Sequence, residues 1–276
     1  MLEILQDAAR EALIEAIQEN EIAFWLSRAR LAGWEIHEEM GLTWYRSGLR
    51  SPMFNGVIRT TLAEDEADAR IEATLARFRA DGLPMVWWNG PSRRPMDLGA
   101  RLLARGLTTS GDETGMAADL DALNEDVTTP AGLTVERVTD DAALRKWMLT
   151  LQASDIPPGR RAPDLRLQRP ASYATDDEYR LYLARLDGAP VGTATAQIGV
   201  GAVGLYCVSV VPAARRQGVG AAVTLAALRE AREQSYRYGV LGASEMGESI
   251  YRRLGFEQCC LLQMHEFLPD VERRLR

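Results

Sequence analysis

The sequence predicts a mixed α/β fold, an α+β arrangement in which helices cover both faces of a central mixed β-sheet. Three observations predict it. Strand-like runs alternate with segments of helical periodicity, and the pair Asp187-Gly188 joins two such runs as a hairpin. A third strand ends at Val-Val-Pro and is followed by a short basic loop and then directly by an amphipathic helix. A weaker version of this order in the first half predicts two such domains in tandem.

The second half has the clearer pattern. Its predicted order is strand, helix, loop, three strands, helix, strand, helix and strand. The predicted bounds are 133–135, 140–153, 155–172, 179–186, 190–199, 203–211, 218–234, 238–243, 247–254 and 256–267. The long helix follows from apolar residues that share one helical face, at 219, 222, 223, 226 and 227.

The first half is less regular. Helices are predicted at 2–32, 65–79 and 95–105, and strands at 42–45, 56–59, 83–88 and 115–120. Its last four elements repeat the order seen at 218–267, and Leu102–Leu107 echoes Tyr251–Phe256. The polar, turn-rich stretch 124–132 reads as a connection. We therefore predict two domains, 1–125 as a degenerate copy and 131–276 as the complete one.

The loop at 212–220 has the features of a phosphate-binding site. The first amides of a helix lack internal partners, and the helix dipole is positive there. Gly218 and Gly220 leave the backbone accessible, and Arg215 and Arg216 add permanently charged donors. A nucleoside triphosphate loop would need Gly-Lys-Ser/Thr, but the only lysine is Lys146.

A dinucleotide loop is disfavoured as well, because Val223 occupies the position of its third glycine and no acidic ribose partner follows. The run Arg215–Gly220 instead resembles the pyrophosphate loop Gln/Arg-x-x-Gly-x-Gly/Ala of the GNAT N-acetyltransferase superfamily. The strand that ends in Val-Val-Pro resembles the fourth strand of that family. The first half has no such loop, and Leu102 stands in place of Tyr251, so we expect it to bind no cofactor.

This resemblance implies acetyl-CoA (coenzyme A) as cofactor, with pantetheine lying where strand 203–211 separates from its neighbour. The residues that it implies for cofactor binding are Val208, Ser209, Val210, Arg215, Arg216, Gln217, Gly218, Val219, Gly220, Ala221 and Ser244. Ser244 stands where the family often has asparagine. The Val210 amide would polarise the thioester carbonyl. As an alternative, Val208 and Val210 are simply core residues of the strand.

Tyr251 matches the tyrosine of the family signature Leu-Tyr-x-x-x-Gly-Phe, which implies a role as general acid. A phenol stays protonated at neutral pH and is close in basicity to a leaving thiolate. A packed aromatic residue is the alternative reading of this position. The general base stays unassigned, because the strand 203–211 lacks the glutamate that many family members have there. Glu245 is a nearby candidate, but a solvated loop carboxylate is the alternative reading of this residue.

Composition limits the remaining classes. The chain has 276 residues, 46% hydrophobic and 26% charged, and a net charge of −7, which argues against a nucleic-acid partner. We expect no membrane span, no secretory signal and no metal site. The cysteines (207, 259 and 260) are odd in number and suit a reducing cytoplasmic setting.

The sequence therefore predicts an acetyl-CoA-dependent N-acetyltransferase that acts on a primary amine of a small molecule or peptide. The first half would form a wall of the acceptor pocket, together with 155–172, or hold a homodimer. The alternative is a non-catalytic acyl-CoA-binding or interaction module. The identity of the acceptor cannot be read from the sequence.

Overall fold

The structure, a computed structural model, describes residues 4–154 and 176–269. Its helices are α1 (Arg10–Ala32), α2 (Glu64–Ala80), α3 (Leu98–Ala104), α4 (Asp141–Gln152), α5 (Val219–Glu233) and α6 (Glu245–Leu254). Its strands are β1 (Glu35–Glu39), β2 (Leu42–Arg46), β3 (Asn55–Thr60), β4 (Met85–Asn89), β5 (Thr108–Asp119), β6 (Leu133–Arg137), β7 (Tyr179–Leu186), β8 (Ala189–Val200), β9 (Ala202–Val210), β10 (Tyr238–Ala243) and β11 (Glu257–Phe267). The predicted loop at 155–172 lies outside the described residues.

The chain forms two compact units, and neither is continuous in sequence. Among the described residues, unit 1 comprises 4–27, 114–154 and 176–260, and unit 2 comprises 28–113 and 261–269. The predicted division into domains at 125–131 stays a prediction about the sequence repeat, because the compact units cross it in both directions.

Unit 1 contains a mixed sheet in the order β6-β7-β8-β9-β10-β5. Strands β9 and β10 are parallel, and the other neighbours are antiparallel. Helix α5 packs on one face over an apolar core that includes Val203, Leu205 and Val223. Helices α1 and α4 pack against the sheet as well, where Phe24 of α1 stacks on Tyr179 of β7. The predicted fold class, a mixed sheet with flanking helices, is confirmed.

The strands of unit 2 also pair in a mixed arrangement, in the order β1-β2-β3-β4-β11. Here β3 and β4 are the parallel pair. Its core combines Trp87 of β4 with buried residues of α2 and α3, among them Ile71 and Leu102. Each unit therefore has a central parallel pair with antiparallel strands around it.

Strand β5 ends the first half of the chain but pairs within unit 1, and strand β11 ends the second half but pairs within unit 2. Residues 114–119 of β5 pair with β10 in unit 1, and residues 263–267 of β11 pair with β4 in unit 2. The sequence pattern located both strands but carried no information on which sheet each one joins.

The structure differs from the prediction at three elements of the first half. Helix α1 begins at Arg10 rather than at Leu2. Strand β1 was not predicted, because three of its five residues are glutamates, a residue type depleted in strands. Strand β5 starts seven residues before the predicted 115, since the run Ser110-Gly111-Asp112 resembles a turn.

Candidate active site

Strands β9 and β10 of unit 1 are paired over only part of their length. Their parallel pairing joins residues 203–205 to 239–241 and ends there. Beyond this point Ser209 and Val210 pair only with β8, and Gly242 and Ala243 pair only with β5. The two strands therefore separate at Tyr206 and leave an opening between them, as the resemblance implied for strand 203–211.

A β-bulge on β9 lies beside this opening. The pairing with β8 shifts between Thr193 and Thr195, and Cys207 has a φ of 51°, in the left-handed region. The Thr193 hydroxyl donates a hydrogen bond of 2.9 Å to the Cys207 carbonyl oxygen. A bulge turns the following side chains to the other face. Val208 and Val210 accordingly pack against the core beneath α5.

The backbone of Val210 is oriented toward the opening. The next amide, of Val211, donates to the Val191 carbonyl of β8 at 2.9 Å. Because successive amides of an extended strand point to opposite edges, the Val210 amide points away from β8. The Val210 carbonyl, however, accepts a bond of 3.1 Å from Arg215 Nε. The amide of Val210 is thus oriented into the opening, whereas its carbonyl already has a partner.

The loop after β9 leads directly into α5. A 3₁₀ turn at Pro212–Ala214 is followed by left-handed residues at Arg216 (φ 60°) and Gly218 (φ 84°), and α5 begins at Val219. No side chain caps this end of the helix, and the first helical bond runs from the Ala222 amide to the Gly218 carbonyl at 2.9 Å. The preceding amides of the first turn are therefore oriented to bind an anion.

The two glycines of this loop have different functions. A Cβ atom at Gly218 would overlap the Thr128 carbonyl oxygen, so glycine is required there by the fold itself. A Cβ atom at Gly220 would meet only Val210 Cγ2, at 3.6 Å, which is ordinary contact. Gly220 therefore leaves open space at the first turn of α5, the kind of space that a diphosphate would use.

The polar side chains of the loop also divide into two groups. Arg215 is half-buried and donates to the Val210 and Ser154 carbonyls, at 3.1 and 3.2 Å. Gln217 donates to the Ala213 carbonyl at 3.1 Å and closes the turn. Arg216 is exposed at the start of α5. Arg215 thus shapes the site, and Arg216 is the better placed of the two arginines to contact a phosphate.

Helix α6 brings Ser244 and Tyr251 together. Ser244 is the N-cap residue, and its carbonyl accepts the Gly247 amide at 2.9 Å. A Cβ atom at Gly247 would lie 3.1 Å from the Tyr251 ring and 3.5 Å from Ser244 Oγ. Tyr251 is 8% exposed, and its ring packs edge-on against Phe256 at 5.8 Å between centroids. Glu245, in contrast, is exposed in the first turn of α6.

The predicted connection at 124–132 is fixed to unit 1. Asn124 bonds to the Leu254 and Arg253 carbonyls, and Glu125 forms ion pairs with Arg229 and Arg232 of α5. Hydrogen bonding to Arg229 lowers the pKa of the Glu125 carboxyl, so its charge persists at moderately acidic pH. These contacts hold Thr128 against Gly218. No sequence pattern at 124–132 indicates this role.

Unit 2 contains a second separation between its parallel strands, but the chain itself fills it. Strands β3 and β4 pair only at Gly56 and Val57. Past β3, the Arg94 amide donates to the Thr60 carbonyl at 2.9 Å, and the Leu62 amide donates to the Arg94 carbonyl at 3.1 Å. Trp87 Nε1 also donates to Thr60 Oγ1 at 2.9 Å. Backbone groups that face the opening in unit 1 are therefore already hydrogen-bonded in unit 2.

Comparison with known protein families agrees with this geometry. Residues 177–258, which span β7 to the start of β11, match the acetyltransferase (GNAT) domain. This segment resembles a GNAT domain. The match and the fold together support acyl transfer as its general chemistry. No curated protein matches the sequence of the chain.

Solved structures share the two-unit fold. A GCN5-related N-acetyltransferase from Kribbella flavida is 20% identical, with a TM-score of 0.65 over 89% of this chain and 95% of that one. A tandem GNAT protein from the clavulanic acid biosynthesis pathway is 16% identical, with a TM-score of 0.58 over 96% and 97%. At these identities the likeness shows the fold alone and leaves the substrate open.

Two classes of site have no support among the described residues. In the ranges 4–154 and 176–269, no group of three or more His, Cys, Asp or Glu side chains is arranged to bind a metal ion. Within the same part of the chain, no helix has the length and apolarity to cross a bilayer.

Proposed function

We propose that the chain is an acetyl-CoA-dependent N-acetyltransferase whose single cofactor site lies in unit 1. The observation that carries the proposal is the opening between β9 and β10, which lies directly before the uncapped first turn of α5. In unit 2 the corresponding opening is filled by the backbone around Arg94. One molecule of coenzyme A per chain is the expected stoichiometry.

Several groups of unit 1 support the proposal, from the diphosphate of the cofactor to its acyl end. The first-turn amides of α5 at 219–221 and the exposed Arg216 would hold the diphosphate, and the space at Gly220 would admit it. The backbone of Val208 and the Val210 amide would pair with pantetheine and the acyl oxygen. Ser244 would add one hydroxyl contact at the start of α6. When bound, acetyl-CoA supplies the acetyl thioester.

The proposed chemical roles rest on the orientation of the Val210 amide and on the resemblance of Tyr251 to the tyrosine of the family signature. The Val210 amide would stabilise negative charge that develops on the acyl oxygen, as a preorganised donor. Tyr251 would donate its hydroxyl proton to the leaving sulfur and regain one from the amine nitrogen. The acceptor would be a primary amine of a small molecule or peptide.

Titration of coenzyme A into the wild-type chain and into Gly220→Asp tests the site. The added carboxylate would stand beside the diphosphate, so repulsion should weaken affinity at least tenfold more than in the neutral, equally sized Gly220→Asn. Both variants should fold, because the Cβ position is open and either residue suits the first turn of a helix.

Two results of this experiment would contradict the proposal. One is a wild-type chain that releases no heat with coenzyme A, and the other is equal affinity in the two variants. A chain that binds acetyl-CoA but releases no thiol with any amine would favour the alternative, a non-catalytic acyl-CoA-binding module.

A further inference from the structure

Helix α1 packs on the sheet of unit 1 at the point where β9 and β10 separate. Asn20 Nδ2 donates to the Ala202 carbonyl at 2.8 Å, and a Cβ atom at Gly204 would lie 2.7 Å from Asn20 Cγ. One turn later, the Phe24 ring stacks on the Tyr206 ring at 3.9 Å between centroids, with an interplanar angle of 13°. Tyr206 is the first β9 residue past the last pair with β10.

Glu21 occupies the adjacent side of the same helix. Ile17, one turn earlier, lies 3.4 Å from the Cβ position of Gly115, and Gly115 pairs with Gly242 of β10. Residues four apart share a helix face, so Glu21 follows Ile17, which packs on β5, and precedes Phe24, which packs on β9. Strand β10 lies between β5 and β9. These two contacts together place Glu21 over the start of the opening.

The Glu21 side chain is buried and held in one orientation. It is 7% exposed, and its Oε1 accepts a hydrogen bond of 2.8 Å from Trp25 Nε1, whose side chain is itself buried. The two oxygens of a carboxylate can accept several hydrogen bonds, so Glu21 can bind a further donor while Trp25 holds its orientation. A carboxylate over an opening that admits an acyl group is suited to receive an ammonium group.

We propose that Glu21 binds the ammonium group of the acceptor and removes its proton, with the half-buried ring of Tyr206 as the adjacent wall. The inference rests on the proposed function and deepens it, since the substrate class becomes a primary amine that is cationic at neutral pH. In this step one N–H bond breaks, the Glu21 carboxylate becomes a neutral carboxylic acid, and the amine keeps the electron pair with which it attacks. The acid later returns its proton to solvent. An aromatic ring beside the site favours a cation further.

The test compares two amines with wild-type protein, Glu21→Gln and the control Glu15→Gln, which changes an exposed residue of α1. An alkyl amine, with an ammonium pKa near that of lysine, about 10, needs a base. An aromatic amine is already neutral at the same pH. Glu21→Gln should lower kcat/KM at least about a hundredfold for the alkyl amine and less than about fivefold for the aromatic amine. Glu15→Gln should change neither, and coenzyme A affinity should be equal in all three proteins.

Equal losses with both amines would show that Glu21 is only structural and would overturn the inference, as would no loss with either. Glu21→Asp keeps the carboxylate, so its ratio of kcat/KM for the alkyl amine to kcat/KM for the aromatic amine should stay close to that of the wild type. This comparison remains informative even if Glu21→Gln is poorly folded. A Glu21→Asp protein in which this ratio falls as far as in Glu21→Gln would also overturn the inference. Coenzyme A binding without any acetylation by the wild-type chain would instead overturn the proposed function and the inference with it.

Discussion

Replacement of Gly218 by alanine should destabilise the chain, whereas the same change at Gly220 should not. At Gly218 the backbone has a φ of 84°, a conformation that costs a residue with a Cβ atom about 1–2 kcal/mol. The new methyl group would also overlap the Thr128 carbonyl oxygen, whose carbon lies only 3.2 Å away. Because Asn124 and Glu125 hold this segment in place, it cannot retreat without breaking their bonds.

The expected loss for Gly218→Ala is therefore on the order of 2–4 kcal/mol, from the strained backbone and the overpacked contact together. Gly220→Ala replaces glycine inside a helix, where alanine is favoured by up to about 1 kcal/mol. Equilibrium denaturation in urea, followed by circular dichroism, measures both. Equal free energies of unfolding for the two variants would refute the assignment of separate roles to these glycines.

Two further predictions concern Tyr251 and His265. Tyr251→Phe should lower turnover at least about tenfold and leave acetyl-CoA affinity within a few-fold, because only the donated proton is lost; unchanged turnover in a steady-state assay would remove Tyr251 from the mechanism. Burial lowers the pKa of the His265 imidazole, which is 3% exposed in β11. The unfolded chain then binds the proton more readily, so stability should fall as the pH drops from about 6.5 toward the lower folded-state pKa, and His265→Gln should remove that part of the slope in denaturation midpoints. An identical slope in the variant would contradict this reading.

Local pattern was sufficient for most of unit 1. Strand β7 has the predicted bounds, and β8 and α5 differ from them by one residue at each end, because a hairpin turn and an apolar stripe mark them within a few residues of sequence. The edge strand β1 has neither an adjacent turn signal in its sequence nor an apolar stripe, because most of its residues are glutamates. The placement of β5 and β11 depends on pairing between residues more than a hundred positions apart, which no local pattern encodes.

The candidate site was predictable to the same extent. The loop and its glycines could be located, because a basic run before a helix has a physical meaning by itself. The reason for Gly218, however, is the Thr128 carbonyl, and the partners of Arg215 include the Ser154 carbonyl. Both contacts join residues that are at least 61 positions apart in the sequence. Glu21 has no local sequence signal for a similar reason, because only the packing of α1 on the sheet brings it near the opening.

The placement of β5 and β11 bears on how such a chain could evolve. A gene shortened to residues 131–276 would encode β10 without its neighbour β5, and it would encode β11 without its neighbour β4. Unpaired strand edges favour aggregation. The first half of the chain therefore supplies a strand that the second half needs, so its loss would be selected against even where its surface diverges.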